Sequence, residues 1–423
     1  MRKLGGRTVR LGVLTGMLTG ALVAAVSGPV AAAPDPAPGR AAPAPLRAGG
    51  PEYAPDRYVV VLSAPQADAD RVARTARTDR AAALAERAGG TVLNRYRHVL
   101  DGYAAHLPPA ALAAVRNDPA VAYVERDTRI RGGLTSTGGV SIQATQPNPP
   151  SWGLDRIDQH YLPLNNSFGY TSAGAGVTVY VVDSGIRASH VDFGGRASGV
   201  YDAVGDGNGT NDCHGHGTHV AGTVGGATYG VAKSVTIKAV RVLKCDNSGW
   251  TTDLIEGVDW IAGNHDPVSV ANFSLQGYGT APNTAVENMI NTGVYPVFIA
   301  NNFNTDACTN GPRSSRGVTV AATDSTDNRA SFSSYGTCVD IFAPGVNITS
   351  AGIASNTASA SGWSGTSMAA PHVSGWLARY RQQNPTHSLA TVKSALISAA
   401  TTGVVINPGP GSPNRLLYRS PTQ

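Results

Sequence analysis

Residues 362–375 read GWSGTSMAAPHVSG and place Ser367 at the point where we expect a loop to turn into a helix. Pro371 falls in the first turns of that helix, where its missing N–H is best tolerated. A serine hydroxyl is a poor nucleophile near neutral pH, so catalysis would need a base within hydrogen-bonding distance and a carboxylate that orients the base. The backbone N–H groups at a helix start would also favour negative charge that develops beside the serine.

Two other stretches supply these residue types. Residues 177–182, VTVYVV, form a β-branched run that ends directly before Asp183, and His216 opens a helix-like segment within residues 212–222, DCHGHGTHVAG. In open α/β sheets, functional groups collect outside the carboxyl ends of the strands. We therefore predict that Asp183, His216 and Ser367 come together at one edge of the folded sheet.

The three closely spaced histidines have a second interpretation, a metal centre. His214, His216 and His219 resemble the His-x-His-x-Asp-His pattern of metallo-hydrolases, but the third histidine comes one residue later and the acidic member is missing. A metal centre would also give no role to Asp183 or to the Ser367 stretch. The pattern therefore favours a histidine that acts as a base.

The fold class follows from the alternation of segments after Trp152. The β-branched runs lie at 177–182, 235–243, 270–275 and 295–300, and the helix-like segments between them lie at 216–224, 252–264 and 282–292. This alternation predicts an α/β fold with a mostly parallel sheet and helices on both faces.

The chain before residue 144 is organised differently. Residues 1–33 have a basic start, an apolar run and a small-residue exit, which predicts a secretory signal peptide; a membrane anchor is the alternative, but the run is short and broken by glycines. Residues 34–56 are rich in Ala and Pro and are expected to be a disordered leader. Residues 57–130 follow the order βαββαβ, a small α+β domain of ferredoxin-like type, and residues 131–143 form a linker suited to proteolysis.

The charge of the chain is uneven. The whole chain has 33 Lys+Arg and 28 Asp+Glu, a formal net charge of +5, but residues 144–423 hold 15 and 17 of these, a net charge of −2. The basic excess lies in the earlier residues, so a nucleic-acid partner for the later region has no electrostatic support.

Export to an oxidising compartment would allow the four cysteines to form disulfide bonds. They can pair in three ways, and the residues alone do not choose among these pairings; a Cys/His zinc site is a further alternative. The four positions are Cys213, Cys245, Cys308 and Cys338.

The Ser367 stretch and the HGTHVAG block resemble those of the subtilases, the subtilisin-like serine proteases, and most closely the aqualysin-type branch of the proteinase K subfamily. The order Asp, His, Ser along the chain is also that of subtilisin. The resemblance implies that Asp183 orients the base, that His216 is the general acid/base and that Ser367 is the nucleophile. His219 would then have a structural role.

By the same resemblance, residues 57–130 are an inhibitory propeptide that folds onto the catalytic domain of residues 144–423 and covers its cleft. The linker would be cut near Gln143–Ala144, and a permanent binding domain is the alternative. The cysteine positions imply Cys213–Cys245 and Cys308–Cys338 bridges.

The resemblance also implies an oxyanion hole and a substrate cleft. Residues 295–302, YPVFIANN, correspond to the family's strand that ends in Ala-Ala-Gly-Asn, which makes Asn302 the side-chain donor and the N–H of Ser367 the second donor. A peptide substrate is expected to lie as an extended strand between two edge segments. The implied substrate-binding residues are Asn247, Ser248, Gly249, Ser274, Leu275, Gln276, Gly277, Ile299 and Asn301.

Two positions depart from the family pattern. Asn301 stands where the family has Gly, and Gln276 stands in Ser-Leu-Gln-Gly where the family has Ser-Leu-Gly-Gly. A non-Gly residue restricts φ, although Asn tolerates left-handed conformations better than most residues. We predict a narrower or more polar pocket for the residue before the scissile bond, and Asn301 could also displace Asn302.

Two segments resemble the calcium sites of the subfamily, and structural Ca²⁺ is expected without an organic cofactor. One segment combines Asp340 with the backbone oxygens of Ser315 and Gly317. The other combines Asp155, Asp158, Gln159 and Asn165, where close relatives carry Asp at the last position. Solvated surface and turn caps are the alternative interpretation of all these residues.

The sequence thus predicts a secreted, extracellular serine endopeptidase that is made as an auto-processed zymogen and cleaves proteins and peptides through an acyl-enzyme. We expect a monomer with no membrane contact after signal removal. An esterase would be expected to carry its serine in Gly-x-Ser-x-Gly, whereas Ser367 lies in Gly-Thr-Ser-Met-Ala. A catalytically impaired or narrowed-specificity subtilase that acts as a binding protein is the alternative, suggested by Asn301 and Gln276.

Overall fold

The computed structural model describes residues 42–64, 71–133 and 146–420. The predicted signal peptide, most of the predicted linker and the predicted cut near Gln143–Ala144 lie outside the described residues. Among the residues described, no helix is both long enough and apolar enough to cross a membrane.

The first region is a small sheet with two helices on one face. Its elements are β1 Leu46–Arg47, β2 Tyr53–Leu62, α1 Arg71–Arg87, β3 Thr91–Tyr96, β4 Gly102–His106, α2 Pro109–Arg116 and β5 Val121–Gly132. The strand order is β1-β5-β2-β4-β3. Buried residues of α1 and α2, such as Ala82 and Val115, pack against Val60 and Val124 of the sheet. The predicted βαββαβ order is confirmed.

Strand β5 is longer than the sequence predicted. It runs from Val121 to Gly132 and therefore includes the first two residues of the predicted linker, Arg131 and Gly132. Its first half pairs in parallel with β1, which brings part of the leader predicted as disordered into the sheet. Tertiary contacts explain this pairing. Without β1, strand β5 would expose a row of N–H and C=O groups at the edge of the sheet, and β1 pairs with these groups although the Ala- and Pro-rich composition around it favours disorder.

The second region is built on a nine-stranded sheet. Its helices are α3 Trp152–Ile157, α4 His216–Gly225, α5 Thr251–Asn264, α6 Thr280–Asn291, α7 Thr366–Gln383 and α8 Leu389–Ala399, with short 3₁₀ turns at Val191–Phe193 and Ala307–Thr309. Its strands are β6 Thr178–Asp183, β7 Ala197–Asp202, β8 Thr236–Arg241, β9 Ser248–Trp250, β10 Ser269–Phe273, β11 Leu275–Gln276, β12 Tyr295–Ile299, β13 Val318–Thr323, β14 Ile341–Pro344, β15 Ile348–Ala351, β16 Ser359–Trp363, β17 Thr401–Thr402 and β18 Arg415–Leu416.

The strand order of the large sheet is β17-β18-β14-β13-β12-β10-β6-β8-β7. All neighbours run parallel except β17 and β18. Strands β15 and β16 form a separate antiparallel pair, and β9 and β11 pair with β5.

Strand β6 shows why both faces of the sheet carry helices. All six of its residues are buried, and successive side chains of a strand point to opposite faces. Val179 and Val181 belong to the core shared with α4 and α7, whereas Tyr180 and Val182 belong to the core shared with α5 and α6. The fold class predicted from the sequence is therefore confirmed.

The first region packs on α5 and α6 of the second. Val59, Val61 and Ala104, on the sheet face opposite α1 and α2, share a buried core with Leu254 and Met289 of those helices. The two regions therefore form one continuous apolar contact.

Carboxylates close this contact at three points. Glu125 accepts the N–H groups of Thr280 and Ala281 at 2.9 and 3.2 Å, at the start of α6. Asp127 accepts the N–H of Thr252 at 3.1 Å, at the start of α5. Helix starts leave N–H groups open and favour negative charge, so both contacts stabilise the docked first region.

The third carboxylate comes from the second region. Asp259 of α5 accepts the N–H groups of Arg97, His98 and Val99 through one or both of its oxygens, at distances from 2.6 to 3.2 Å. These residues form the connection between β3 and β4, so Asp259 holds the hairpin against α5.

Candidate active site

Asp183 and His216 make a direct contact. Asp183 is the last residue of β6, and His216 is the first residue of α4. The Nδ1–H of His216 donates to Asp183 Oδ1 at 2.7 Å, and both side chains are fully buried. The Nε2 atom of His216 is buried, and no group in the described part of the chain hydrogen-bonds to it.

Asp212, to which the sequence analysis gave no role, fixes the start of α4. Its Oδ1 accepts the N–H groups of His214 and Gly215 at 3.0 and 2.8 Å, and its Oδ2 accepts the N–H and hydroxyl of Thr218 at 2.8 and 2.6 Å. These bonds satisfy N–H groups that the helix start leaves open. An Asp shortly before a helical segment is the available sequence signal.

Ser367 is the second residue of α7 and is fully buried. Its hydroxyl donates to the carbonyl oxygen of Ser274 at 2.9 Å, and the Ser274 hydroxyl donates to the carbonyl oxygen of Ser367 at 3.0 Å. Asn272 Nδ2 donates to the Ser274 hydroxyl at 2.9 Å, and the Ser374 hydroxyl donates to Asn272 Oδ1 at 2.8 Å. This buried network ties the start of α7 to the end of β10, and it has no sequence signal because its members are far apart in the chain.

The carbonyl oxygen of Gly133 lies in the predicted oxyanion hole. Asn302 Nδ2 donates to this oxygen at 2.9 Å. Asn302 Oδ1 accepts the N–H and the hydroxyl of Thr366, both at 2.9 Å, which fixes the orientation of the amide. A β-carbon added at Gly365 would lie 2.4 Å from the Gly133 oxygen, so only glycine allows this approach.

The end of β5 lies between the two predicted edge segments and pairs antiparallel with both. Its N–H groups donate to the Asn247 oxygen from Gly132 at 3.0 Å and to the Ser274 oxygen from Gly133 at 3.3 Å. The register partners are Arg129 with Trp250, Ile130 with Gly249, Arg131 with Ser248 and Gln276, and Gly132 with Leu275. Gly277 pairs instead with Gly311. The end of the first region thus pairs through its backbone with both segments that the sequence predicted as edges of a substrate cleft.

The side chains along this strand differ in burial. Ile130 is fully buried in the core that includes Leu254, and burial of such a side chain contributes about 1.5–3 kcal/mol. A β-carbon added at Gly132 would lie 2.2 Å from Asn247 Oδ1, and one added at Gly133 would lie 3.1 Å from Ile299 Cδ1. The two glycines therefore fit a narrow part of the cleft.

Asn301 has a φ of +79°, in the left-handed region where the family carries glycine. It is buried, and its Oδ1 has no hydrogen-bond partner among the residues described. The neighbouring Asn302 amide donates to the Gly133 oxygen at 2.9 Å. Gln276 is half-buried in β11.

The histidines do not gather around a metal. Across the described ranges, no group of three or more His, Cys, Asp or Glu side chains could hold a metal ion. His219 donates to the Ile348 oxygen at 3.3 Å and stacks on Trp363 with ring centroids 4.7 Å apart. Burial lowers the pKa of His219 to about 3, so this ring stays neutral in a structural position.

The cysteines form the two nearest-neighbour bridges. Cys213 is bonded to Cys245 and Cys308 to Cys338. The first bridge joins the segment before α4 to the segment before β9, and thus supports both His216 and the edge at Asn247. The zinc alternative for the cysteines is excluded by these bonds.

The first predicted calcium set is held by a lysine. Lys393 Nζ donates to the carbonyl oxygens of Ser315 and Gly317 at 3.0 and 2.6 Å and forms an ion pair with Asp340 Oδ1 at 2.8 Å. Asp340 Oδ2 accepts the N–H of Thr319 at 2.9 Å. Each predicted calcium ligand therefore faces an ammonium group, and the set does not fit a calcium ion.

The second predicted calcium set is partly open. The Asp155 carboxylate accepts the N–H groups of Asn165 and Asn166, and Asp158 Oδ2 accepts that of Gly169. Asp158 Oδ1 and Gln159 Oε1 are buried and, in the described part of the chain, without a hydrogen-bond donor. Burial, helped by Asp155, raises the pKa of Asp158 to about 6. Carboxylate and amide oxygens are of the kind that calcium takes as ligands.

Comparison with protein families gives two matches. Residues 174–416 match the subtilase family, and residues 57–131 match the peptidase inhibitor I9 family. A crystal structure of a cold adapted subtilisin-like serine proteinase is 48% identical, covers 63% of this chain and 97% of its own, and gives a TM-score of 0.61. Fervidolysin from Fervidobacterium pennivorans, described as keratinolytic, shares the fold at 21% identity with a TM-score of 0.68, over 89% of this chain and 62% of its own.

Two curated relatives are similar over most of the chain. An extracellular serine proteinase from a Thermus species is 51% identical over 78% of this chain and 78% of its own. An alkaline serine exoprotease A from Vibrio alginolyticus is 45% identical over 86% of this chain and 67% of its own. The comparisons give no support to the binding-protein alternative. The chain belongs to the subtilase family and is a serine endopeptidase made as a zymogen with an inhibitory propeptide.

Proposed function

We propose that Asp183, His216 and Ser367 hydrolyse peptide bonds through an acyl-enzyme. His216 Nε2 takes the hydroxyl proton of Ser367, the hydroxyl oxygen attacks the substrate carbonyl carbon, and His216 returns the proton to the leaving amine. Water then releases the acyl group by the same steps. Asp183 Oδ1, at 2.7 Å from Nδ1, holds the tautomer that leaves Nε2 free and stabilises the imidazolium.

The observation that carries this proposal is the position of Gly133. Its carbonyl oxygen accepts from Asn302 Nδ2 at 2.9 Å, and a β-carbon on Gly133 would lie 2.7 Å from Ser367 Oγ. A peptide carbonyl therefore lies between a nucleophile and an oxyanion donor. The N–H of Ser367 is proposed as the second donor.

The nucleophile must turn before it reacts. Its hydroxyl donates to the Ser274 carbonyl oxygen, which also accepts the N–H of Gly133 at a longer 3.3 Å. Both bonds are present together, since a carbonyl oxygen can accept two hydrogen bonds. The Ser367 hydroxyl must therefore leave the Ser274 oxygen before it can donate to His216 Nε2.

The first autoproteolytic cut is proposed to follow Gly133. The carbonyl oxygen of this residue accepts from the Asn302 amide. The predicted cut near Gln143–Ala144 would then be a later trimming that removes the rest of the linker. The propeptide would act as an intramolecular inhibitor before the cut, and after it would stay bound without a covalent link through its core with α5 and α6.

The residue before the scissile bond is proposed to be small. A β-carbon added at Gly133 would lie 3.1 Å from Ile299 Cδ1, and Asn301 adds a side chain to the pocket wall. The test is kcat/KM on a peptide series that varies this residue. We expect Gly and Ala to exceed Phe, and an ordinary preference for large apolar residues would refute the proposal.

Calcium is proposed at the second set alone, with Asp158 and Gln159 as ligands. Subtilisin-like proteins commonly bind structural calcium, and these two residues offer buried oxygen atoms without donors in the described part of the chain.

Secretion is proposed from the signal-peptide pattern of residues 1–33 and from the extracellular relative. The enzyme is proposed to act as a monomer on proteins and peptides.

The test of the catalytic proposal is labelling with a serine-directed phosphonate. The protein should be labelled at Ser367, and Ser367→Ala should be neither labelled nor processed, so that the full chain accumulates. Ser355→Ala, at an exposed serine, is the matched control and should behave like the parent. Labelling or self-processing of Ser367→Ala would overturn the proposal.

A further inference from the structure

Lys393 lies in α8 and uses all the donors of its ammonium group at one place. The group has three N–H donors, and it meets three acceptors: the Ser315 oxygen at 3.0 Å, the Gly317 oxygen at 2.6 Å and Asp340 Oδ1 at 2.8 Å. Two of the acceptors are backbone carbonyls, and the third is a carboxylate. Hard oxygen ligands of this kind are those that a calcium ion takes.

The surrounding contacts fix these acceptors in place. Asp340 Oδ2 accepts the N–H of Thr319 at 2.9 Å, which directs Oδ1 toward the ammonium. The carbonyl groups of Ser315 and Gly317 belong to the turn before β13, where the Gly317 N–H donates to the Ser314 oxygen at 3.2 Å. Arg316, between them, is directed elsewhere, to Glu287 and Asn291.

We propose that the Lys393 ammonium is a built-in cation that replaces a bound metal ion at Ser315, Gly317 and Asp340. The charge supports this assignment, because one lysine neutralises the one carboxylate, whereas a divalent ion added beside the lysine would leave two excess positive charges. The side chains of Lys393 and Asp340 are 21% and 22% exposed, so the ion pair is mostly buried but still in contact with solvent. The contact that Lys393 makes between α8 and the residues before β13 and β14 therefore does not depend on calcium.

Solvent reaches the ammonium from two sides. Cavities of about 730 and 140 Å³ are both lined by Ser315, Asp340 and Lys393. Shortening the lysine would therefore open the three oxygen atoms to ions from solution. The proposal predicts that such a variant gains a calcium site.

The experiment is calcium titration calorimetry on the processed enzyme. Lys393→Ala should bind one equivalent of calcium more than the parent, and adding Asp340→Asn should remove that equivalent. Any calcium at Asp158 contributes equally to each protein and cancels. An unchanged number of bound ions in Lys393→Ala would overturn the proposal.

A second measurement covers the case in which Lys393→Ala does not fold. Asp340→Asn in the parent keeps the shape of the side chain and weakens the ion pair. Its melting temperature should fall by the same amount with calcium and with a chelator, because no ion is lost. A fall that occurs with calcium and vanishes in chelator would show that calcium, rather than Lys393, occupies the site.

Discussion

The propeptide contacts the catalytic domain in two regions, and different kinds of interaction hold each of them. Its sheet packs on α5 and α6 through apolar side chains and through carboxylates at helix starts, whereas the end of β5 lies in the cleft mainly through backbone pairing. Side-chain contacts of the first kind are specific to this propeptide. Backbone pairing of the second kind is available to any extended peptide. We infer from this comparison that the sheet supplies affinity, and we propose that the strand end determines where the chain is cut.

The largest expected effect concerns the chemistry at the strand end. Asn302→Ala removes the donor at 2.9 Å from the carbonyl oxygen and should lower kcat by about 10²–10³, as loss of one such donor does in subtilisin. KM for a peptide substrate should change little, and the measurement is steady-state hydrolysis. Asn264→Ala, an exposed asparagine, is the control. Parent-like kcat in Asn302→Ala would remove Asn302 from the oxyanion hole.

The fit of the strand end in the cleft is tested next. Gly133→Phe forces a large side chain toward Ile299 and should slow the first cut roughly 10- to 100-fold, since overpacking costs about 1–3 kcal/mol. The cut is followed by gel electrophoresis during refolding. Arg131→Phe, at an exposed position of the same strand, should be processed normally. Equal rates for Gly133→Phe and the parent would mean that the cut lies elsewhere.

The sheet contact is tested through Asp259, whose carboxylate accepts three N–H groups of the propeptide. Asp259→Asn should weaken these bonds by about 1–2 kcal/mol, so that the cut propeptide leaves about tenfold faster. The observable is the rate at which peptidase activity appears after processing. Glu287→Gln is the control, because its partners Ser314 and Arg316 belong to the catalytic domain. A release rate in Asp259→Asn equal to that of the control would show that this carboxylate does not hold the propeptide.

The smallest expected effect is a pH dependence of propeptide release. Burial, with the neighbouring Asp127 as second cause, raises the pKa of Asp253 to about 7 in the bound state, and departure of the propeptide would bring this pKa back toward its ordinary value. A pKa that is raised in the complex gives stabilisation that is present at low pH and is lost as the pH rises through about 7. Release should therefore be several-fold faster at pH 8 than at pH 5.5.

The matched variant for this pH dependence is Asp253→Asn. It keeps an oxygen to accept the N–H of Trp250 but does not titrate, so its release rate should depend less on pH than that of the parent. Burial also raises the pKa of Glu125 and of Asp127 at this contact, and these two groups keep part of the pH dependence. Release from the parent that slows as the pH rises would contradict the sign derived from Asp253.

Local patterns predicted the strand that ends at Asp183 and the helix that begins at His216, and they missed what tertiary contacts impose. Asp183 after a β-branched strand and His216 at a helix start could be predicted because each signal lies within a few residues. Gly132 and Gly133 were interpreted as linker, since glycines favour turns, but pairing with β9 and β11 overrides that local preference.

Other contacts had no local signal at all. Lys393 is an ordinary helical lysine in the sequence, and only the fold brings it to Asp340. The chain from Ser374 through Asn272 to Ser274 likewise joins distant segments. Such contacts depend on the folded arrangement and not on spacing along the chain.

The most direct test of the account is the mass of the propeptide fragment released in the first turnover of the purified zymogen. The carbonyl oxygen of Gly133 at Asn302 predicts a fragment whose last residue is Gly133. A first fragment that ends at Gln143, with none ending at Gly133 at any earlier time, would contradict it.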